Sequence, residues 1–380
     1  MANILFLIEH LKGGGAERVV SEISAELESR HKVYIAVFAD YGTSYRHCSQ
    51  IINVGVPGSE NKWKKIINLF KRCRIVRKIK KEKNIDVTIS FMNNANIVNV
   101  LSGSSFVVCS IRTVLSSVVK GKLGRLIGAW PLKQADKVVT LSNYVRQDLI
   151  DVFGVSGEKI QTIYNPIYRT DSEKARRATV KDKERDLTFI TAGRLVTPKG
   201  QWHLIKAFYE YHKKYGGKLI ILGEGSLVAK LKGLVHYLGI ENDVVFRGFV
   251  KEPTAEMEAT DVFVMTSLWE GFGNAIIEAM SIGLPIISSK CPGGPKEILE
   301  PDEHINKYGI LIPAFPQVED IEFSDVLTEN ERYLADAMCS MNNIKLRNNY
   351  SELSLARSKD FCIDKIVAEW EELFNYKNIR

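Results

Sequence analysis

Short apolar runs alternate with amphipathic stretches along this chain, and they do so in two separate series. The first series of runs is "NILFLI", "KVYIAVF", "DVTISF", "SFVVCSI" and "KVVTLS". Between them lie stretches such as "AERVVSEISAELESR" and "NYVRQDLIDVF", apolar at helical spacing. Runs that are apolar at every position suit strands buried on both faces, so the pattern predicts a parallel sheet flanked by helices. The alternation stops at "RTDSEKARRATVKDKERD", residues 169–186, which is charged, poor in apolar residues, and reads as a linker just after the Asn165-Pro166 turn. A second series follows: "LTFITAG", "GKLIILG", "DVVFRGF", "DVFVMTS", "LPIISSK" and "YGILIPA". A length of 380 residues exceeds one ordinary core. The expectation is two doubly wound α/β domains, 1–168 and 187–360, joined by the linker and followed by an amphipathic helix over 361–380. Ligands of such sheets bind beyond the carboxyl ends of the strands, which makes the cleft between the domains the expected site.

Charge is divided between the halves. Residues 1–170 hold 25 Lys+Arg against 13 Asp+Glu, a net of +12, whereas the remainder holds 27 against 32. The excess concentrates in "NKWKKIINLFKRCRIVRKIKKEKN", residues 61–84. Wound as a helix, this stretch places Trp63, Ile66, Ile67, Phe70 and Val76 broadly on one side, with cations such as Lys64, Lys65, Lys71 and Arg72 around them. Such a helix suits an anionic membrane surface, and a solvated basic face is the competing reading. No nucleic-acid recognition motif accompanies the charge. No apolar run reaches the roughly 18 residues a transmembrane helix needs. The opening "MANILFLIEHLKGGG" lacks a basic leader and a small-residue cleavage site, so it is expected to be a first strand rather than a signal peptide. Six scattered cysteines without a CxxC pair argue against a zinc site or disulfide framework and suit a reducing cytoplasm.

Three segments that follow expected strands carry chemistry-bearing residues. In "LKGGGAERV", Gly13, Gly14 and Gly15 run into a helix, where bare backbone and free amides can approach an anion, though a flexible turn needs the same residues. In "TAGRLVTPKG", Arg194 and Lys199 stand at the carboxyl edge of a strand, a pairing suited to neutralising a diphosphate without a metal. In "EGFGNAIIEAM", Glu270 precedes a helix start at Gly271-Phe272-Gly273-Asn274, and Glu278 is expected two turns into that helix within the apolar run Ala275, Ile276, Ile277, Ala279, Met280. Glu270 suits either a helix cap or a ligand. Glu278, part-buried in such a run, needs a partner and can accept two hydrogen bonds from a ribose diol. No Asp-x-Asp, GxSxG, P-loop or dinucleotide fingerprint is present.

Together these segments resemble the retaining glycosyltransferases of family 4, which have the GT-B fold of two Rossmann-like domains facing a central cleft. The resemblance spans most of the chain and is strongest over residues 191–299, through "AGRLVTPKG", "LGEGSL" and the glutamate pair followed by "AMSIGLPII". It implies that the C-terminal helix packs back toward domain one. Carried over by position, it implies that Arg194 and Lys199 bind the donor diphosphate and Glu278 the ribose. Glu270 and the amides of Phe272, Gly273, Asn274 and Ala275 would face the donor sugar and β-phosphate. Gly14 and Gly15 would close on the diphosphate, and the backbone around Phe246 and Arg247 would meet the base. One position departs from the family. Where relatives often carry a histidine near the donor sugar, this chain has Arg112 in "CSIRTV", with no histidine between His47 and His203. An arginine cannot act as a base at neutral pH. Holding a hydroxyl or phosphate oxygen and lying on the surface at a helix start are both open to it.

The resemblance implies a metal-independent transferase without cofactor. It would move a hexose or N-acetylhexosamine from a nucleotide sugar, UDP above all, to a glycan acceptor. Relatives in cell-surface polysaccharide assembly (O-antigen or capsule) imply a polyprenyl-diphosphate-linked acceptor. They also imply a cytoplasmic enzyme, peripheral on the inner face of the plasma membrane, with no nucleic-acid partner. The alternatives are a nucleotide-sugar epimerase of related fold and an inactive protein that keeps the fold.

Overall fold

In the computed structural model, residues 1–12, 14–40, 42, 45–167, 186–302, 307–317 and 321–373 are described. The chain divides into two compact units, Met1–Tyr168 with Cys362–Arg380, and Arg169–Phe361. Apart from Asp186, the stretch expected as a linker lies outside the described residues, as do residues 374–380 of the expected C-terminal helix.

The first unit runs β1 (Asn3–Ile8), α1 (Gly15–Leu27), β2 (Lys32–Val37), β3 (Ile51–Asn53), α2 (Lys62–Glu82), β4 (Val87–Phe91), α3 (Asn93–Ser102), β5 (Phe106–Ile111), α4 (Leu115–Val118), α5 (Lys122–Gln134), β6 (Lys137–Thr140), α6 (Asn143–Asp151) and β7 (Ile160–Thr162). Its seven strands are ordered β3-β2-β1-β4-β5-β6-β7, and every recorded pairing is parallel. The unbroken apolar run of β1 has a simple cause. Ile4, Phe6 and Ile8 pack toward α1, while Leu5 and Leu7 pack toward α2 and α3, so neither face meets water.

The second unit runs β8 (Thr188–Ala192), α7 (Gln201–Tyr215), β9 (Lys218–Leu222), α8 (Val228–Tyr237), β10 (Val244–Gly248), α9 (Pro253–Met257), β11 (Val262–Met265), α10 (Asn274–Ser281), β12 (Ile286–Ser289), α11 (Pro295–Leu299), β13 (Ile310–Ile312), α12 (Glu329–Ser340) and α13 (Ile344–Ser358). Its order is β10-β9-β8-β11-β12-β13, again parallel. The chain then returns as α14 (Ile363–Glu372) to the first unit. There Ile363, Ile366, Val367 and Trp370 join the core beneath α1, and the Trp370 ring stacks 6.0 Å from Phe91. Glu371 pairs with Arg30 and His31.

Helix α2 corrects one expectation. Trp63, Ile66, Ile67 and Phe70 are exposed together with Lys64, Lys65 and Lys71, but Arg72 and Val76 are buried. At about 100° per residue, position 72 lies about 180° from position 63, on the side that meets the sheet. Arg72 Nε donates to the Val56 carbonyl at 2.9 Å, and its guanidinium lies 4.1 Å from the centre of the Phe38 ring. It is a core contact, not a membrane-facing one.

A buried charge cluster joins α7 to α12. His203 Nδ1 lies 2.7 Å from Glu331 Oε1, Lys206 Nζ lies 2.9 Å from Oε2, and the Thr328 amide donates to Oε2 at 2.7 Å. Burial pushes the Glu331 carboxyl up, but these donors outweigh it and hold it down at about 2. Burial also holds His203 below its ordinary value, so the imidazole donates as a neutral group and Lys206 supplies the charge. A lowered carboxyl stabilises the fold above its unfolded value of 4.5, and that stability is lost as pH falls toward about 2. Glu331→Gln is therefore expected to cost about 3 kcal/mol at pH 7, read from urea midpoints, with the difference from the parent narrowing in acid.

Candidate functional site

Sheet topology brings the candidate residues of the second unit together. The chain winds outward from β8 in one direction and from β11 in the other, so these adjacent strands flank the switch point where a crevice opens. Arg194 and Lys199 follow β8, and Glu270 follows β11. Lys199 ends a single 3-10 turn, Thr197–Lys199, that Pro198 helps to set and Gly200 closes at φ 59°. That left-handed position favours glycine, and an added Cβ would also collide with the Thr266 carbonyl. The turn is tied to the loop after β11 by Leu268 N to Pro198 O at 2.8 Å and by Thr266 Oγ1 to Lys199 O at 3.2 Å.

These ties hold Lys199 Nζ in an ion pair with Glu270 Oε1, which also accepts from Ser267 Oγ at 2.8 Å. Both partners are partly buried, with side chains 24% and 12% exposed, so the pair is screened less than a surface one. Glu270 therefore does not act as the helix cap; the residue at the cap of α10 is Gly273, at φ 112°, and no side chain caps it. Glu278 stands one turn into α10 rather than two, and it is half-buried as expected. Arg194 is exposed, while its carbonyl accepts from Gln201 Nε2 at 3.1 Å. Arg247, on the edge strand β10, is exposed and sits 3.5 Å from Glu256.

Sequence reasoning passed over the loop after β12, "CPGGP". The Glu270 amide donates to the Pro292 carbonyl at 2.9 Å. A Cβ at Gly293 would run into the Glu270 carbonyl, and one at Gly294 into that of Phe272. Gly293 has φ 125°, open only to glycine at low cost. These glycines let the two loops lie backbone on backbone and fix the height of Glu270 above the sheet. A Pro-Gly-Gly run in the short loop between a strand and the next helix was the signal that could have found them. Cys291, buried beside Glu270, has its thiol pushed up to about 12 by burial and then by that carboxylate, which makes it inert filling rather than a nucleophile.

In the first unit, Gly14 precedes α1 and Gly15 begins it; Gly13 lies outside the described residues. A side chain at Gly14 would collide with the Glu17 carboxylate. Arg112 follows β5, half-buried, with its guanidinium bonded to Asn165 Oδ1 and 5.0 Å from the Phe91 ring centre. It is thus no solvated surface arginine. Among the described residues, no group of three or more His, Cys, Asp or Glu is placed to hold a metal ion, and no helix is long and apolar enough to cross a membrane.

Residues 13–170 match the family described as Glycosyltransferase Family 4, and residues 171–328 match Glycosyl transferases group 1. An uncharacterized glycosyltransferase of Methanocaldococcus jannaschii is 33% identical over 343 residues, covering 80% of this chain and 83% of its own. The N-acetylgalactosamine-N,N'-diacetylbacillosaminyl-diphospho-undecaprenol 4-alpha-N-acetylgalactosaminyltransferase of Campylobacter jejuni is 26% identical over 97% of this chain and 98% of its own. Among solved structures, Anabaena HepE in complex with UDP and glucose superposes with a TM-score of 0.77 at 20% identity, over 99% of this chain and 100% of that one. At that identity the likeness speaks for the fold, two parallel-sheet α/β domains of the GT-B type.

Proposed function

This chain belongs to the family-4 glycosyltransferases of the GT-B fold, and on that premise we propose a retaining, metal-independent enzyme that moves a hexose or N-acetylhexosamine from a UDP-sugar to a polyprenyl-diphosphate-linked glycan. The observation that carries the reading is the Lys199–Glu270 pair at the switch point, with Arg194 exposed on the same loop as Lys199. As the bond from the anomeric carbon to phosphate stretches, negative charge grows on the diphosphate and positive charge on the sugar. Lys199, Arg194 and the amides of Phe272, Gly273, Asn274 and Ala275 stabilise the first. Glu270 faces the second, and Glu278 accepts from the ribose hydroxyls. Arg247 and its neighbours border the base. In the first unit, Gly14 and Gly15 keep the phosphate role that the family resemblance gives them, and Arg112 holds an oxygen rather than a proton. The leaving phosphate takes the acceptor proton, so no side-chain nucleophile is needed.

The acceptor class is supported by the relative from Campylobacter jejuni, whose name specifies a diphospho-undecaprenol substrate. It is supported also by the basic first unit, where α2 offers Lys64, Lys65 and Lys71 beside exposed Trp63 and Phe70 to an anionic surface. We place the enzyme at the cytoplasmic face of the plasma membrane in cell-surface polysaccharide assembly. The test is a panel of nucleotide sugars with a lipid-linked acceptor in the presence of EDTA. Acceptor-dependent release of UDP is expected at full rate. Activity restored only by magnesium would overturn the metal-free scheme, and turnover without acceptor would point to an epimerase.

A further inference from the structure

Helix α5 turns most of its large apolar residues outward. Leu123, Leu126, Ile127 and Trp130 recur at the spacing of one helical face, and they are 71%, 67%, 56% and 41% exposed. The side turned to the protein carries mostly small residues, with Leu132 as its one large aliphatic side chain in the core. Gly128 lies where a Cβ would come 3.7 Å from Phe153 and 3.8 Å from Leu115, Gly124 where one would come 3.2 Å from Val119, and Ala129 is buried. A helix that only covers a sheet does the reverse, turning its large apolar residues inward. Val118, just before the helix, is 61% exposed and extends the row.

The charge around this row has one sign. Lys120, Lys122, Arg125 and Lys133 are exposed, and no aspartate or glutamate occurs between Asp86 and Asp136. The row also lies on the sheet face that carries α2. Leu5 and Leu7, in contact with the α2 and α3 core, align across β4 with Val107 and Cys109, which meet the α5 core. Two helices of that layer, α2 and α5, therefore expose an aromatic and aliphatic row among cations. Pairing with a second copy through α5 would set these cations against one another without an acid to offset them. An anionic bilayer meets both features, since it accepts the apolar row and neutralises its border.

We propose that α5 is a membrane-seating helix, with Leu123, Leu126, Ile127 and Trp130 entering the boundary between headgroups and acyl chains of an anionic bilayer. The inference rests on the membrane-linked reading above but uses residues that reading does not. It is tested by sedimentation with vesicles of phosphatidylglycerol and phosphatidylcholine. Leu126→Glu/Ile127→Glu changes two exposed positions, so the fold should keep its circular dichroism. Partition to the vesicles is expected to fall by about tenfold or more, because binding scales with the apolar area inserted. Transfer to a water-soluble acceptor analogue should be unchanged. Parent-like vesicle binding overturns the inference, and so does a loss of self-association without a loss of vesicle binding, which would assign the row to a second copy. Loss of transfer to the soluble analogue overturns it too, since the row would then serve the acceptor. A Lys64→Glu/Lys65→Glu/Lys71→Glu variant separates the two claims. If it alone loses binding, α2 is the seat and the α5 inference fails; if neither variant changes binding, the membrane reading itself fails.

Discussion

Lys199→Ala is expected to lower kcat about a hundredfold, which corresponds to about 3 kcal/mol of lost transition-state stabilisation. Lys199 is held by a turn that is itself tied to the neighbouring loop, so its ammonium is positioned before charge develops on the leaving group. Preorganised contacts of this kind act on the chemical step more than on ground-state binding. Arg194→Ala should also slow the reaction, but its exposed side chain must still be ordered by the ligand, so part of its loss should appear in KM. Single-turnover kinetics at saturating donor check this. A kcat within a few-fold of the parent would remove Lys199 from the leaving-group role.

Glu270→Gln and Glu278→Gln are expected to fail differently. Glu270 would face the transferred sugar, which the product UDP no longer carries. Its replacement should cut turnover by about a hundredfold while UDP affinity stays intact. Freed from its ion pair, Lys199 can even favour the diphosphate in this variant. Glu278, beyond the first turn of α10, would hold the ribose, present in donor and product alike. Its loss removes charge-assisted hydrogen bonds of about 1.5–3 kcal/mol and should weaken UDP and donor together. Calorimetric titration of UDP beside steady-state kinetics separates the two. Equal loss of UDP affinity in both variants, or full activity in both, would contradict the assignment.

The sequence carried the sheets well because their strands are buried on both faces. A run such as "NILFLI" leaves no polar register to choose, and all eleven apolar runs quoted above lie on observed strands. The two strands it did not announce, β3 and β7, have only three residues each and lie at the edges of the first sheet. At the site, spacing from the strand ends placed Arg194, Lys199 and Glu270 on the correct edge, because topology alone decides which loops adjoin. Spacing could not tell that Lys199 pairs with Glu270, which depends on the height of two loops. That height is set by Ser267 and by the backbone contacts of Gly293 and Gly294, residues without chemistry of their own. On α2, the basic count was visible but the helical phase was misjudged. Arg72 falls opposite Trp63 and goes inward because its guanidinium lies over the Phe38 ring and its Nε reaches the Val56 carbonyl. The row on α5 was hidden for another reason. A helix read for its buried face is assumed to turn its large residues inward, and this one turns only Leu132 inward while four others face out.

The central claim is metal-free transfer with retained configuration at the anomeric carbon. Its most direct measurement is proton NMR of the product formed from an α-linked UDP-sugar and a lipid-linked acceptor in EDTA. An α-glycoside, read from the coupling of its anomeric proton, is the result this account predicts. A β-glycoside, or no product until a divalent metal is restored, would contradict it.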